Sequence, residues 1–111
     1  FSGSVAYPAH SAMPPNAVLI VRIQDTSRAD SKALTLAEQR IELAGQQVPI
    51  PFQMTVDRAL LHKNARITVA ARIQRGNTLL FINDTAYLAM KNGEPQRVDM
   101  TLKQVSQPRK R

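Results

Sequence analysis

Residues 13–30 read MPPNAVLIVRIQDTSRAD, and this stretch decides the fold. Pro14 and Pro15 lack the amide hydrogen a central ladder needs, so they mark the entry to a strand. From Ala17 to Gln24 the chain is apolar and β-branched, the composition that packs on a pleated surface. Side chains alternate along a strand, so Leu19, Val21 and Ile23 share one face while Val18 and Ile20 take the other. Asp25-Thr26-Ser27 then offers side-chain oxygens to nearby backbone N–H groups and favours a turn.

The same reading extends outward. Residues 45–56, GQQVPIPFQMTV, carry prolines at 49 and 51 that forbid a helix and impose an extended edge segment. Phe52, Met54 and Val56 are its inward side chains. Residues 1–7 read as a strand with Val5 and Tyr7 on one face. Between Ala65 and Gln74, Ile67, Val69, Ala71 and Ile73 face one way, and Arg66, Thr68, Arg72 and Gln74 mostly the other. Arg75-Gly76-Asn77 is a hairpin turn, because Gly and Asn tolerate positive φ. The chain returns with Leu79 and Phe81 on one face, Leu80 and Ile82 on the opposite one. A second turn at Lys91-Asn92-Gly93-Glu94-Pro95 leads to a last strand with Val98, Met100 and Leu102 inward. Leu34–Leu43 fits a helix through Leu34, Ala37, Arg40 and Ile41. It also fits a strand with a register change near Ala37-Glu38, a bulge; the strand is adopted here. Asp57 is the N-cap of one short helical turn over Arg58-Ala59-Leu60-Leu61.

These elements predict an all-β chain: a single-domain β-sandwich of about seven or eight short antiparallel strands, with at most one short helical turn. The domain is expected over 1–103, with 104–111 a basic, disordered tail.

Composition sets outer bounds. The chain has 111 residues, 43% of them apolar, enough for one core. Trp is absent, so Val, Ile, Leu, Met and Ala must build that core with Phe52, Phe81 and Tyr87 as its large members. Cysteine is absent too, which excludes disulfides, thiolate metal sites and cysteine nucleophiles. No apolar run approaches the roughly 20 residues of a membrane-spanning helix. The net charge is +7, and Arg109, Lys110 and Arg111 supply three of those positive charges. Such a balance suits either a solvated surface with a basic tail or an anionic partner.

Residues in two runs carry a family resemblance. They are Pro14-Pro15, Ala17, Leu19, Val21-Arg22-Ile23, Asp25 and Ser27-Arg28-Ala29-Asp30, then Gly45-Gln46-Gln47-Val48-Pro49-Ile50-Pro51-Phe52. Gly3-Ser4-Val5-Ala6-Tyr7, Ala71-Arg72-Ile73, Leu79-Leu80-Phe81 and Asp84-Thr85-Ala86-Tyr87 support it. In this order they resemble the YscW/YbaY family of small bacterial envelope lipoproteins, over residues 3–102. The family includes pilotins of type III secretion systems, which escort the outer-membrane secretin, and envelope lipoproteins of obscure role. The resemblance implies a periplasmic location and an outer-membrane anchor through a lipid on a cysteine upstream of Phe1. It also implies a client: the C-terminal segment of a secretin. An envelope lipoprotein with no secretion role is the alternative within the family, and a basic nucleic-acid-binding β domain the alternative outside it.

No group of residues promises catalysis or a cofactor. His10 and His62 stand far apart in expected loops, without metal-ligand spacing. Asp25 and Asp84 each end an apolar strand before a Thr and read as turn formers. Glu38 and Glu42 read as part of a solvated face. Arg22, Arg66, Arg72 and Arg75 could form a basic stripe, but no exposed aromatics interleave with them as an RNA-binding sheet requires. No enzyme, metal or nucleic-acid partner is expected. Partner-binding candidates come instead from two strands that are apolar on both faces: Val18 and Ile20, and Leu80 and Ile82. Their second faces are either covered by another part of the chain or open to a partner's helix or strand.

Overall fold

The computed structural model describes residues 1–8, 16–27, 33–44, 49–61, 65–83, 85–91 and 93–105. Among them, seven strands have four or more residues: β1 (Ser2–Ala6), β2 (Val18–Asp25), β3 (Leu34–Glu42), β4 (Ile50–Gln53), β5 (Ile67–Arg75), β6 (Thr78–Ile82) and, late in the chain, β10 (Val98–Thr101). Four pairs of residues complete the set: β7 (Tyr87–Leu88), β8 (Met90–Lys91), β9 (Glu94–Pro95) and β11 (Lys103–Gln104). The one helical element among the described residues is a 3₁₀ turn, Arg58–Leu60, with the Asp57 carboxylate accepting from the Ala59 N–H.

Two sheets face each other. The larger runs β11-β6-β5-β2-β3, with β7 also on β5; the smaller runs β10-β1-β4; β8 and β9 form a separate hairpin. Leu19, Val21 and Ile23 of β2 and Ile67, Val69, Ala71 and Ile73 of β5 meet Val5, Ile50, Phe52, Val98 and Met100 of the small sheet in one buried cluster. Those are the inward sets that strand alternation selects. Pro51 is accommodated because β4 lies at the edge of its sheet. The turn glycines Gly76 and Gly93 have φ of +58° and +78°, conformations other residues rarely adopt.

Four details depart from the expected pattern. First, β1 pairs antiparallel with β4 but parallel with β10, so the strands are not all antiparallel. Gly3 makes that approach feasible: a Cβ there would lie 1.7 Å from the Val98 carbonyl oxygen and 2.9 Å from Phe52 Cζ. Second, β3 is a strand, but its bulge makes Leu36 the extra residue, since Ile23 opposes Ala37 and Gln24 opposes Thr35. Third, a bulge in β6 places Phe81 opposite Ile73 and Leu79 opposite Gln74. The extra residue is Leu80, which packs against the core, so Leu79 and Phe81 do not share a face. Fourth, Gln104, expected in the tail, opposes Phe81 in β11, and the Val105 N–H donates to the Leu80 carbonyl. The remaining residues of that tail lie outside the described ones.

Candidate functional site

The outer face of the large sheet carries the residues of interest. Cross-strand pairing sets Ile20 between Arg40 of β3 and Arg72 of β5. Arg72 in turn opposes Ile82, and Ile82 opposes Lys103. One transverse row thus alternates basic and apolar side chains across five strands. In the next row Arg22 stands between Glu38 and Ala70. Ile20 is only 1% exposed although it lies outside the core cluster, whereas Ile82 is 40% exposed.

Between Ile82 and Tyr87 the chain leaves β5, and a shallow trough opens there. Its first part, about 140 Å³, is lined by Ile20, Arg22, Gln24, Arg72, Ile82 and Asn83, with Ala70 and Ala71 as small floor residues. Its second part shares Gln24, Ala70 and Asn83 and continues to Thr68, Arg66 and Thr85. Asn83 holds the gap open without leaving the β5 backbone unsatisfied. Its side-chain oxygen accepts from the Ala71 N–H at 3.0 Å, its own N–H donates to the Ala71 carbonyl at 3.3 Å, and its side-chain amide donates to the Thr85 carbonyl. The amide side chain substitutes for a missing strand partner. At the far end, the Asp25 carboxylate accepts from the Ser27 N–H, and the Ser27 hydroxyl accepts from the Arg66 N–H. This is the expected Asx-type turn, and it fixes one wall.

The electrostatics are uneven. Arg22 Nε donates to Glu38 Oε1 at 2.7 Å, and Arg40 Nη1 lies 3.8 Å from Glu38 Oε2. The Arg22 hydrogen bond, with the nearby guanidinium charges, holds the Glu38 carboxyl below its ordinary value against the opposing effect of partial burial. Arg72 differs: its Nε is buried and finds no hydrogen-bond partner among the described residues. The trough therefore sets apolar side chains beside basic ones, among them Arg72, whose Nε is unpartnered among the described residues. That suits an amphipathic segment with an acidic group.

The four candidate residues separate on this surface. Ile20 and Ile82 come together in the trough. Val18 lies on the same outer face, half-buried, between Glu42 and Gln74, outside the trough. Leu80 turns to the core. His10, His62 and Asp84 lie outside the described residues. Of the basic stripe, Arg22, Arg66 and Arg72 line the trough, and none of its lining residues is aromatic. Phe52 and Phe81 are buried, and Tyr7 packs on Phe81 with ring centroids 5.5 Å apart. Sequence reasoning missed Ala70 and Asn83. The signal for Ala70 was present: a small apolar residue where β5 otherwise turns polar side chains outward.

Comparisons with known proteins agree with this architecture. A family model described as "Type III secretion system lipoprotein chaperone (YscW)" matches residues 1–102. The uncharacterized lipoprotein YbaY of Escherichia coli (strain K12) is 36% identical over 106 residues, or 96% of this chain. The chain spans only 55% of that relative's length. A solved structure of an alternative pilotin from the type II secretion system of Vibrio cholerae superimposes with a TM-score of 0.87 and 37% identity, covering 96% of each chain.

Proposed function

We propose, since the chain belongs to the YscW family of type III secretion system lipoprotein chaperones, that it is a pilotin. It binds the C-terminal segment of a type III secretin and assists that protein's targeting and assembly in the outer membrane. The observation that carries this reading is the likeness to a pilotin structure across nearly the whole of both chains. The outer-face trough is the proposed binding site. Exposed Ile82, standing over buried Ile20, receives apolar side chains of the client, and Arg72 receives a carboxylate. A short client segment of this kind orders on binding. The protein works in the periplasm, held at the inner leaflet of the outer membrane by a lipid on a cysteine upstream of Phe1. The lipoprotein descriptions of the family and of the Escherichia coli relative support that anchor. The chemistry is binding, with no catalytic step and no cofactor.

The test is calorimetric titration of the chain with synthetic C-terminal peptides of a type III and a type II secretin. Saturable binding of the type III peptide supports the proposal. Binding of the type II peptide alone would reassign the client, as the Vibrio cholerae likeness allows. Binding of neither would leave an envelope lipoprotein without a secretion role.

A further inference from the structure

The large sheet ends at β3, and among the described residues no strand pairs with its outer edge. This edge is nine residues long, lies one strand beyond the trough wall formed by β2, and its hydrogen-bonding pattern is determined. The Leu43 N–H donates to the Ala17 carbonyl, directly opposite. Antiparallel strands alternate, so Ile41, Gln39 and Ala37 direct their backbone groups toward β2, and Glu42, Arg40 and Glu38 direct theirs outward. Exposed edges of this kind invite another strand unless charges oppose it. Here the charges alternate in sign: Glu38, Arg40, Glu42. On the inner face, Gln39 Oε1 is buried and finds no hydrogen-bond partner among the described residues. Ala37 and Ile41 flank it, half-buried against the core.

We propose that β3 pairs antiparallel with β3 of a second copy of this chain, with the twofold axis at Gln39. A strand pairing with itself about a residue sets outward-directed residues against outward-directed ones only in a few registers. With Arg40 on the axis, Arg40 meets Arg40 and Glu38 meets Glu42, all like charges. With Ile41 on the axis, Arg40 meets Glu42, but Gln39 faces Leu43 and the ladder runs out at Ala44, where φ is +38°. With Gln39 on the axis, Glu38 meets the partner's Arg40 twice and exchanges both backbone hydrogen bonds with it. Ala37 meets the partner's Ile41, extending the core sideways. The two Gln39 side chains stand in a close, non-hydrogen-bonded pair, where each amide donates to the other's Oε1. One register therefore answers the charge pattern, the backbone directions and the orphaned amide oxygen together. The interface is isologous and closes on itself as a dimer.

Sedimentation equilibrium over protein concentrations up to about 1 mM tests this, since so short a ladder associates weakly. The wild-type chain is expected to dimerise reversibly. Arg40→Pro removes an N–H that points away from β2, so the chain should keep its melting temperature and become monomeric. Arg40→Glu alone, and Glu38→Arg alone, each set like charges against each other twice and should raise the dissociation constant roughly tenfold. A mixture of those two variants restores both opposite-charge pairs and should form the heterodimer more tightly than either forms a homodimer. A wild-type chain that stays monomeric overturns the proposal. So does Arg40→Pro or Arg40→Glu dimerising as wild type does, or a mixture that associates no better than its parts. If Arg40→Pro instead loses a secretin peptide while the wild-type chain is monomeric, the edge belongs to the client and the proposal also fails.

Discussion

Replacing Ile82 with Asp separates the stability of the outer face from its binding role. Ile82 is 40% exposed, so a little over half of its side chain is buried. Fully burying such a side chain stabilises by about 1.5–3 kcal/mol, and the share lost here is about 1–2 kcal/mol. The new carboxylate would stand between Arg72 and Lys103, its cross-strand neighbours. Each opposite-charge pair returns about 0.2–1 kcal/mol. With two such pairs the net cost is about 0–1 kcal/mol, a fall of at most roughly 4–8 °C in melting temperature. Ile20→Asp is the contrast. Ile20 is 1% exposed, so the whole burial term is lost and a charge enters a closed site. Several kcal/mol should go, enough to unfold the domain or nearly so. For client binding, Ile82→Asp removes an apolar contact and occupies Arg72 with an internal carboxylate. The affinity for the secretin peptide should fall about tenfold or more, close to 1.4 kcal/mol. Differential scanning fluorimetry and calorimetric titration on the same preparations give both numbers. A folded Ile82→Asp protein with wild-type affinity would refute the trough as the binding site.

Three further outcomes follow from the geometry. Gly3→Ala should cost about 3 kcal/mol by thermal melting, because the added methyl meets the Val98 backbone and not a side chain that can swing aside; a melting temperature within a few degrees of wild type would show that β1 and β10 are not held at this spacing. Asn83→Ala should cost about 1–3 kcal/mol by leaving the Ala71 N–H without its acceptor, and Asn83→Asp, which keeps the acceptor, should cost less. Glu38 binds its proton more weakly in the folded chain than in the unfolded one. Its contribution is therefore complete above its ordinary value of 4.5 and fades as pH falls through the lower folded value; melting curves across that range should show a slope that Glu38→Gln reduces.

Alternation made the core legible. The inward sets of 17–24, 65–74 and 97–103 were readable because each is a regular strand in which every second residue is apolar. Bulges were the limit. A bulge in β6 breaks the period between Leu79 and Phe81, so the sequence reading placed Leu80 outside when it packs inside. In β3 both helix and strand spacings fit, since the extra residue Leu36 spoils a clean period of two. The parallel pairing of β1 with β10 leaves no local trace, because its partners lie about ninety-five positions apart in the chain. At the site, Ile20 and Ile82 were readable as apolar residues on the wrong face of their strands. Arg72 and Asn83 gain their meaning from register and from a gap in pairing, and neither property belongs to a short stretch of sequence.

The placement of β1 has a consequence for how the chain reaches this state. The large sheet grows from hairpins of neighbours in sequence, β2 with β3 and β5 with β6, and can form early. The small sheet cannot, since its middle strand is the first of the chain and one flank is nearly the last. Residues 2–6 can pair with β4 once residue 53 has followed, but their other edge stays open until residue 98 arrives. Until then the inner face of the large sheet is only partly covered, because Val98 and Met100 are missing from the cluster that buries Leu19, Val21 and Ile73. Docking of β10 on β1 therefore completes the small sheet across a separation of about ninety-five residues, the kind of long-range pairing that slows folding.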